Sequence, residues 1–248
     1  DVQLDFDAGS RRDPAAQAGL ADVTADMLDK GVTANAAEPA MDENALGEAW
    51  ADLGASFGAG AGSDRMSFTL RTLSRPDLLE KAVALAARHI GQASFPPDVW
   101  RREREQIVAA IKEANTKPGT IASRAYGKDV YGTHPYGFDP TQETLARIEV
   151  ADMRSFYARH VAPCRAKLSI VGALDRTQAD RIATALLARL PGATECQPLA
   201  PVPEVEALKG PKVDRIPFDS AQAHVLIGQP GYPRRDPDHF ALTLGNYA

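Results

Sequence analysis

Two aspartates, Asp22 and Asp26, are candidate functional residues because their carboxylates could act together. They lie four residues apart in a segment with helical apolar spacing, so both carboxylates project from one helix face. Such a pair could hold a hard cation, but Ca²⁺ and Mg²⁺ take roughly six or more ligands, and the surrounding sequence supplies few further oxygens. We therefore expect a solvated helix face here, and no metal.

The histidines and cysteines form no recognisable site. The five histidines include no pair three or four residues apart, so we expect structural or surface roles for His89, His134, His160, His224 and His239. Cys164 and Cys196 form no C-x-x-C pattern. A disulfide is open to these two cysteines, but two unrelated thiols are the favoured interpretation. No G-x-S-x-G motif is present, and no motif places a histidine beside either cysteine, so the sequence indicates no nucleophile.

A run of small residues at 54–62 does not form a phosphate-binding loop. It lacks the Lys-Ser/Thr of a P-loop and does not open into a helix. Residues 66–73 alternate between apolar and polar, which indicates a strand. The two segments together predict a β-hairpin with its turn at residues 62–64.

The elements that position these residues can be read along the chain. Apolar periodicity and capping residues predict helices at 15–30, 42–53, 76–91, 97–115, 121–131, 150–160 and 176–190. Further strands are predicted at 2–6, 167–171, 212–218 and 223–229. This order of strands, helices, hairpin, helices, strand and helix predicts the α+β class.

The chain divides into two predicted domains. Residues 1–190 form the first, residues 191–211 a stiff linker that contains five prolines, and residues 212–248 the start of a second domain. Residues 236–248 begin with a helix-capping signal and stop within the helix, which leaves the apolar stripe of Phe240 and Leu244 uncovered. We therefore expect the chain to be a fragment of a longer protein.

Composition excludes some classes of partner. The 248 residues are 44% hydrophobic and 25% charged, with a net charge of −5 and a pI near 5.6. This balance provides no field that would recruit nucleic acid. No window approaches the roughly 18 apolar residues of a membrane span. No leader peptide is visible, so the compartment is unknown, with a soluble protein of the bacterial periplasm or cytoplasm as the expectation.

Residues 19–31 (GLADVTADMLDKG) carry a family resemblance. The pitrilysin/insulinase (inverzincin) zinc peptidases read G-L-A-H-x-x-E-H-M-L-x-K-G at this point. All framework residues of that pattern are present: Gly19, Leu20, Ala21, Met27, Leu28, Lys30 and Gly31. The two histidine positions hold Asp22 and Asp26, and the glutamate position holds Ala25. The chain therefore resembles a member of this family that has lost its chemistry.

The residues that this chain lacks are the zinc ligands and the general base of the family. Two histidines at i and i+4 chelate zinc, and the glutamate between them activates the metal-bound water. The third zinc ligand ends an E-R-x-x-x-x-x-E segment, which here begins at Glu103 and places Ala110 at the ligand position. Matching segments also occur at residues 116–118, 134–137, 156–157 and 168–172. We therefore expect no catalytic residue and no metal in this chain.

The resemblance implies the fold and the role. The fold is an inverzincin-type domain, a mixed or antiparallel sheet covered by helices, that is duplicated in the full-length protein, and two such halves close like a clamshell around a peptide. The role is that of a non-catalytic subunit of a two-chain bacterial or processing-peptidase-like enzyme, a heterodimer with a homologue that holds the zinc. An edge strand of the sheet would contact substrate peptides through Phe57, Gly58, Ala59, Gly60 and Ala61.

Two other hypotheses stay open. The chain could be a structural core subunit of a larger assembly, without a role in proteolysis. It could also be a hydrolase that uses a different metal.

Overall fold

The computed structural model describes residues 1–193 and 195–246 of the chain. The chain forms two compact units. The first contains Asp1–Lys112 and Asp139–Val202, and the second contains Glu113–Phe138 and Pro203–Ala248. The candidate site lies in the first unit.

A four-stranded antiparallel sheet organises the first unit. Its order is β4-β5-β1-β6, with strands β1 (Val2–Phe6), β4 (Ser56–Ala61), β5 (Met66–Arg71) and β6 (Lys167–Ile170). Strands β2 (Gly31–Val32) and β3 (Met41–Asp42) form a separate two-stranded ribbon. Leu4 pairs with Phe68 on one side and Leu168 on the other, so alternate apolar residues of adjacent strands share one face. This sheet confirms the predicted α+β class.

Helices cover the apolar face of the sheet. The helices of the first unit are α1 (Leu20–Asp26), α2 (Glu43–Asp52), α3 (Pro76–Gly91), α4 (Pro97–Ala114), α6 (Gln142–Ala146), α7 (Val150–His160) and α8 (Arg176–Leu187). Helix α1 packs against α7 and against β4, and α3 packs against α8. The core between helices and sheet contains Leu4, Phe6, Met27, Leu28 and Met66, each at most 1% exposed.

The predicted β-hairpin is confirmed, and its turn is anchored. The Ser10 N–H donates to the Gly62 carbonyl at 2.9 Å, and the Arg11 N–H donates to the Ser63 carbonyl at 3.0 Å. Gly9 permits this approach, because a Cβ at that position would collide with the backbone of Gly62. The turn is therefore held by a neighbouring segment.

The first predicted helix is shorter than expected. Residues 15–30 form two short 3-10 segments, Ala15–Gln17 and Met27–Lys30, on either side of α1. Gly19 has a φ of 100°, in the left-handed region, and this residue separates the first 3-10 segment from α1. Helix α6, which the sequence analysis missed, begins with a capping box between Thr141 and Thr144.

The two cysteines correct another expectation. Cys164 and Cys196 form a disulfide with their Cα atoms 6.0 Å apart, so the interpretation as two unrelated thiols is wrong. The short segment that contains Cys164 and the chain that follows α8 meet in the fold, although 32 residues separate the cysteines in sequence. Sequence spacing carries no signal for this pairing.

The second unit contains α5 (Pro118–Tyr131) and α9 (His239–Gly245). Residues 247–248, where the predicted last helix ends, lie outside the described residues. The strands predicted at 212–218 and 223–229 do not form, and these segments are irregular. A strand needs a hydrogen-bonding neighbour, and the described residues supply none for either segment. No helix in the described part of the chain is long and apolar enough to cross a membrane.

Candidate functional site

Helix α1 carries the motif residues, and Asp13 fixes where it begins. The Asp13 carboxylate is 6% exposed and accepts the backbone N–H groups of Gly19 and Ala21, each at 2.9 Å. These donors belong to the first turn of the helix, which has no intrahelical partners for them. Burial raises the pKa of Asp13 from 3.8 to about 7, against the lowering effect of the two hydrogen bonds. Asp13 therefore acts as a remote cap for α1.

Asp22 and Asp26 project from the exposed side of α1. Burial, and then the charge of Asp26, raises the pKa of Asp22 to about 6. Burial also raises the pKa of Asp26, with Asp29 and Glu103 adding to the effect and Lys30 opposing it. The charge of Asp26 thus disfavours ionisation of Asp22, and this repulsion remains unless a cation neutralises it.

The residues present do not fit the family's zinc. Ala25 is 1% exposed and has no group that can accept a proton. Ala110 lies exposed on α4, where its methyl group can donate nothing to a metal. Zinc sites in proteins need three or four nitrogen, sulfur or oxygen ligands, and these positions offer two carboxylates at most. Within the described residues, no group of three or more His, Cys, Asp and Glu side chains could hold a metal ion.

The framework residues of the motif stabilise the fold through core packing and ion pairs. Met27 and Leu28 are at most 1% exposed in the core. The Lys30 ammonium bonds the Glu43 carboxylate at 2.7 Å and lies 3.6 Å from that of Glu103, which ties α2 and α4 to the end of the motif. These contacts stabilise the fold whether or not a metal is present.

Strand β4 forms one edge of the described sheet. Its partner on one side is β5, and the described residues provide no strand on the other side. Phe57, Ala59 and Ala61 pair with buried Leu70, Phe68 and Met66 and so share the core face of the sheet. Gly58 and Gly60 lie on the opposite face, and nothing lies within 4 Å of a Cβ built at Gly60.

The hydrogen-bond register shows which backbone groups of β4 are free. The Gly62 N–H donates to the Arg65 carbonyl at 2.8 Å, so this pair is hydrogen-bonded across the hairpin. Hydrogen-bonded pairs alternate along an antiparallel ladder, so the N–H of Gly60 points toward β5 and that of Ala59 points toward the open edge. The predicted contact residues Phe57, Ala59 and Ala61 therefore present the backbone groups available to a further strand.

Three histidines have structural surroundings. His89 and His160 are buried in the first unit at 2% and 5% exposure, and both bond backbone carbonyls. In the second unit, His134 accepts the Tyr136 N–H at 3.1 Å and bonds the Pro203 carbonyl at 2.9 Å. These contacts agree with the structural roles expected from the sequence.

Sequence reasoning missed two contributors to the site. Asp13 precedes α1 by seven residues, and no capping motif operates at that spacing. Trp50, near the end of the preceding helix α2, and His89, on α3, both contact Phe57, and no periodicity joins the three. Only tertiary packing brings these groups together.

The geometry thus sets a motif helix beside the edge strand of an antiparallel sheet, with Asp22, Ala25, Asp26 and Ala110 at the positions that correspond to the zinc ligands and general base of the motif. The family model described as Insulinase (Peptidase family M16) matches residues 1–139, and that described as Peptidase M16 inactive domain matches residues 147–248. The chain belongs to peptidase family M16, the insulinase family, as a member without the catalytic residues.

Individual relatives agree with this assignment. A peptidase M16 inactive domain from Pseudomonas fluorescens is 33% identical with a TM-score of 0.75, and the match covers 83% of this chain and 48% of that one. An uncharacterized zinc protease of Streptomyces coelicolor is 25% identical over 151 residues, 59% of this chain and 33% of that protein. The periplasmic protease PqqL from Escherichia coli, at 19% identity and a TM-score of 0.68, shares the fold over 83% of this chain and 23% of its own. This chain spans less than half the length of each.

Proposed function

We propose that this chain is the non-catalytic subunit of a two-chain peptidase, in which a zinc-bearing homologue cleaves peptides and this chain completes the chamber that holds them. The proposal rests on one observation: the framework residues of the motif are present, while the residues that would bind zinc and accept a proton are replaced. Lys30 keeps its contacts to Glu43 and Glu103, while Ala25 and Ala110 stand where a proton acceptor and a metal ligand would be needed. Such a chain contributes enclosure and positioning rather than bond cleavage.

Strand β4 is the surface to which we assign peptide binding. A peptide can add to an open sheet edge through backbone hydrogen bonds, with specificity from alternate side chains. Ala59 and its alternate neighbours direct backbone groups outward, and the small side chains of 58–61 allow close approach. The anchored turn at Gly62 and Ser63 argues against a freely flexible hairpin, because an ordered edge loses less entropy on pairing.

A reconstitution assay tests the role. Adding the chain to a zinc-bearing M16 homologue from the same organism should raise hydrolysis of an internally quenched decapeptide well above that of the homologue alone. A half-chamber binds peptide on one wall only and loses the orientation that makes attack effectively intramolecular. If the chain binds the homologue tightly but leaves the rate unchanged, the role is structural, as in the core-subunit alternative.

A proline substitution tests the strand. Ala59→Pro removes a backbone donor that faces the open edge and leaves the β4–β5 hydrogen bonds in place, so the pair should lose most of the added activity. Ala200→Pro is the matched control, because Ala200 is exposed in the proline-rich linker. Both variants must fold and associate like the wild type. Equal activity of the two variants would remove β4 from the proposal.

We infer the compartment from the disulfide. Disulfides persist in oxidising compartments and are rare in the bacterial cytoplasm. The Cys164–Cys196 bond therefore favours the periplasm. Alkylation of intact cells before lysis tests this assignment, since a chain from the cytoplasm would carry two modified thiols.

A further inference from the structure

A buried aromatic cluster lies at the start of strand β4. The indole of Trp50 on α2 stacks on Phe57 of β4, with ring centroids 5.3 Å apart and planes 5° from parallel. The imidazole of His89 on α3 lies 4.4 Å from the Phe57 ring. Trp50 is 8% exposed and His89 2% exposed, so water does not compete for their polar atoms.

The hydrogen bonds of His89 fix its orientation. The Trp50 indole can only donate, so Nδ1 of His89 accepts its Nε1–H at 3.3 Å. The ring then carries its proton on Nε2, which donates to the Leu28 carbonyl at 3.1 Å and faces the Asp29 carboxylate at 3.3 Å. One imidazole thus joins α2, α3 and the segment that follows α1.

These contacts bear directly on the open edge. Phe57 is one of the β4 residues whose backbone groups face outward, and its ring packs against both Trp50 and His89, whose own centroids lie 6.2 Å apart. The other end of the strand is held at Gly62. A phenylalanine or leucine in place of His89 would fill similar space without buried nitrogens to satisfy, so the polar contacts add orientation rather than bulk.

We propose that Trp50 and His89 are positioning residues for peptide binding: they hold Phe57 so that β4 presents its edge in the geometry that a peptide strand requires. This inference rests on the proposed function of β4. It predicts that loss of the Trp50–His89 hydrogen bond lowers the affinity for peptide by more than the accompanying loss of fold stability would explain.

The two tryptophans of the chain provide a matched test. Trp100 is 2% exposed and donates its indole N–H to the Ile148 carbonyl at 3.0 Å. Trp50→Phe and Trp100→Phe therefore remove the same group from equally buried sites, and comparable losses of thermal stability are expected. The probe is a fluorescein-labelled octapeptide of alternating valine and threonine, and fluorescence anisotropy measures its affinity for the chain.

Trp50→Phe should weaken probe binding about five-fold, as expected for a lost hydrogen bond, while Trp100→Phe binds like the wild type. His89→Gln is a second variant, with a loss at least as large. In the reconstituted pair, Trp50→Phe should raise KM for the quenched peptide and leave kcat unchanged, because the defect lies in holding the peptide.

Fluorescence gives a readout that a purely structural role would not affect. Trp50 is the only tryptophan in Trp100→Phe, and the unlabelled octapeptide should change its emission, whereas Trp100 in Trp50→Phe should not respond. If the wild type binds the probe and Ala59→Pro weakens binding, but the two tryptophan variants behave alike, the positioning role is refuted and the β4 proposal stands. If the wild type does not bind the probe and Ala59→Pro leaves the pair's activity unchanged, the function proposed for β4 fails.

Discussion

The buried carboxyl of Asp13 should make the stability of the protein fall between pH 4 and pH 7. Its pKa is raised from 3.8 to about 7 in the folded state, mainly by burial. The folded chain therefore retains a proton that the unfolded chain releases, so this stabilisation is fully present below pH 3.8 and is lost as the pH rises toward 7. At 1.4 kcal/mol for each tenfold change, the full effect is about 4 kcal/mol.

His160 opposes this trend over nearly the same range. Burial lowers the pKa of His160 from 6.5 to about 4, and the nearby arginine charges add to the effect. Here the unfolded chain binds the proton more tightly, so this stabilisation is present above pH 6.5 and is lost as the pH falls toward 4. Its size is about 3 kcal/mol by the same conversion. The wild-type profile should therefore be flatter than either group alone would make it.

Asp13→Asn isolates the carboxyl, because asparagine has a similar shape and does not titrate. Urea unfolding followed by circular dichroism at pH 4.5 to 8 gives the free energy of unfolding of both proteins. The wild type minus the variant should decrease by about 3 kcal/mol across this range, since shared groups cancel and part of the full effect is already lost at pH 4.5. A difference that is constant, or that increases with pH, would show that the Gly19 and Ala21 donors outweigh desolvation of Asp13.

The purified chain should bind no stoichiometric zinc after dialysis, because two aspartates and an alanine occupy the ligand positions; one tightly held zinc per chain by elemental analysis would contradict this. The four family residues can be restored together by the substitutions Asp22→His, Ala25→Glu, Asp26→His and Ala110→Glu. This variant should recover zinc binding more readily than peptidase activity, since the new ligands lack neighbours that orient them. Full activity would show that the surroundings of the site had been kept intact. Cys164→Ser should lower the free energy of unfolding by about 4 kcal/mol, because the disulfide closes a loop of 32 residues. Two free thiols in the unreduced wild type would exclude the bond.

Local signals in the sequence were enough for the elements of the first unit. Helix α3 has the predicted bounds of residues 76–91, since a proline starts it and an apolar stripe runs along it. The hairpin also followed from local alternation and turn residues. Both elements form because their own residues favour them.

Contacts between distant segments cannot be predicted from the sequence. Cys164 meets Cys196 only because the helix α8 returns the chain to that place. Likewise, Gly19 breaks the first helix because Asp13 binds the amides on either side of Leu20 in a buried position. The strands predicted at 212–218 and 223–229 do not form, although their apolar and polar residues alternate, because the described chain offers them no partner strand.

The alanine at position 25 also bears on how a zinc peptidase fold could persist with its ligands replaced. Ala25 is 1% exposed on the side of α1 that faces the core. Without a metal-bound water to receive its charge, a glutamate carboxylate at this position would be buried and unpaired, which costs several kcal/mol. Alanine removes that cost and keeps the helix. Asp22 and Asp26 tolerate the same loss because they are less buried than Ala25, although partial burial still raises the pKa of both. The substitutions thus fit a site whose metal is absent, and they leave Lys30 and the buried Met27 free to hold the domain together.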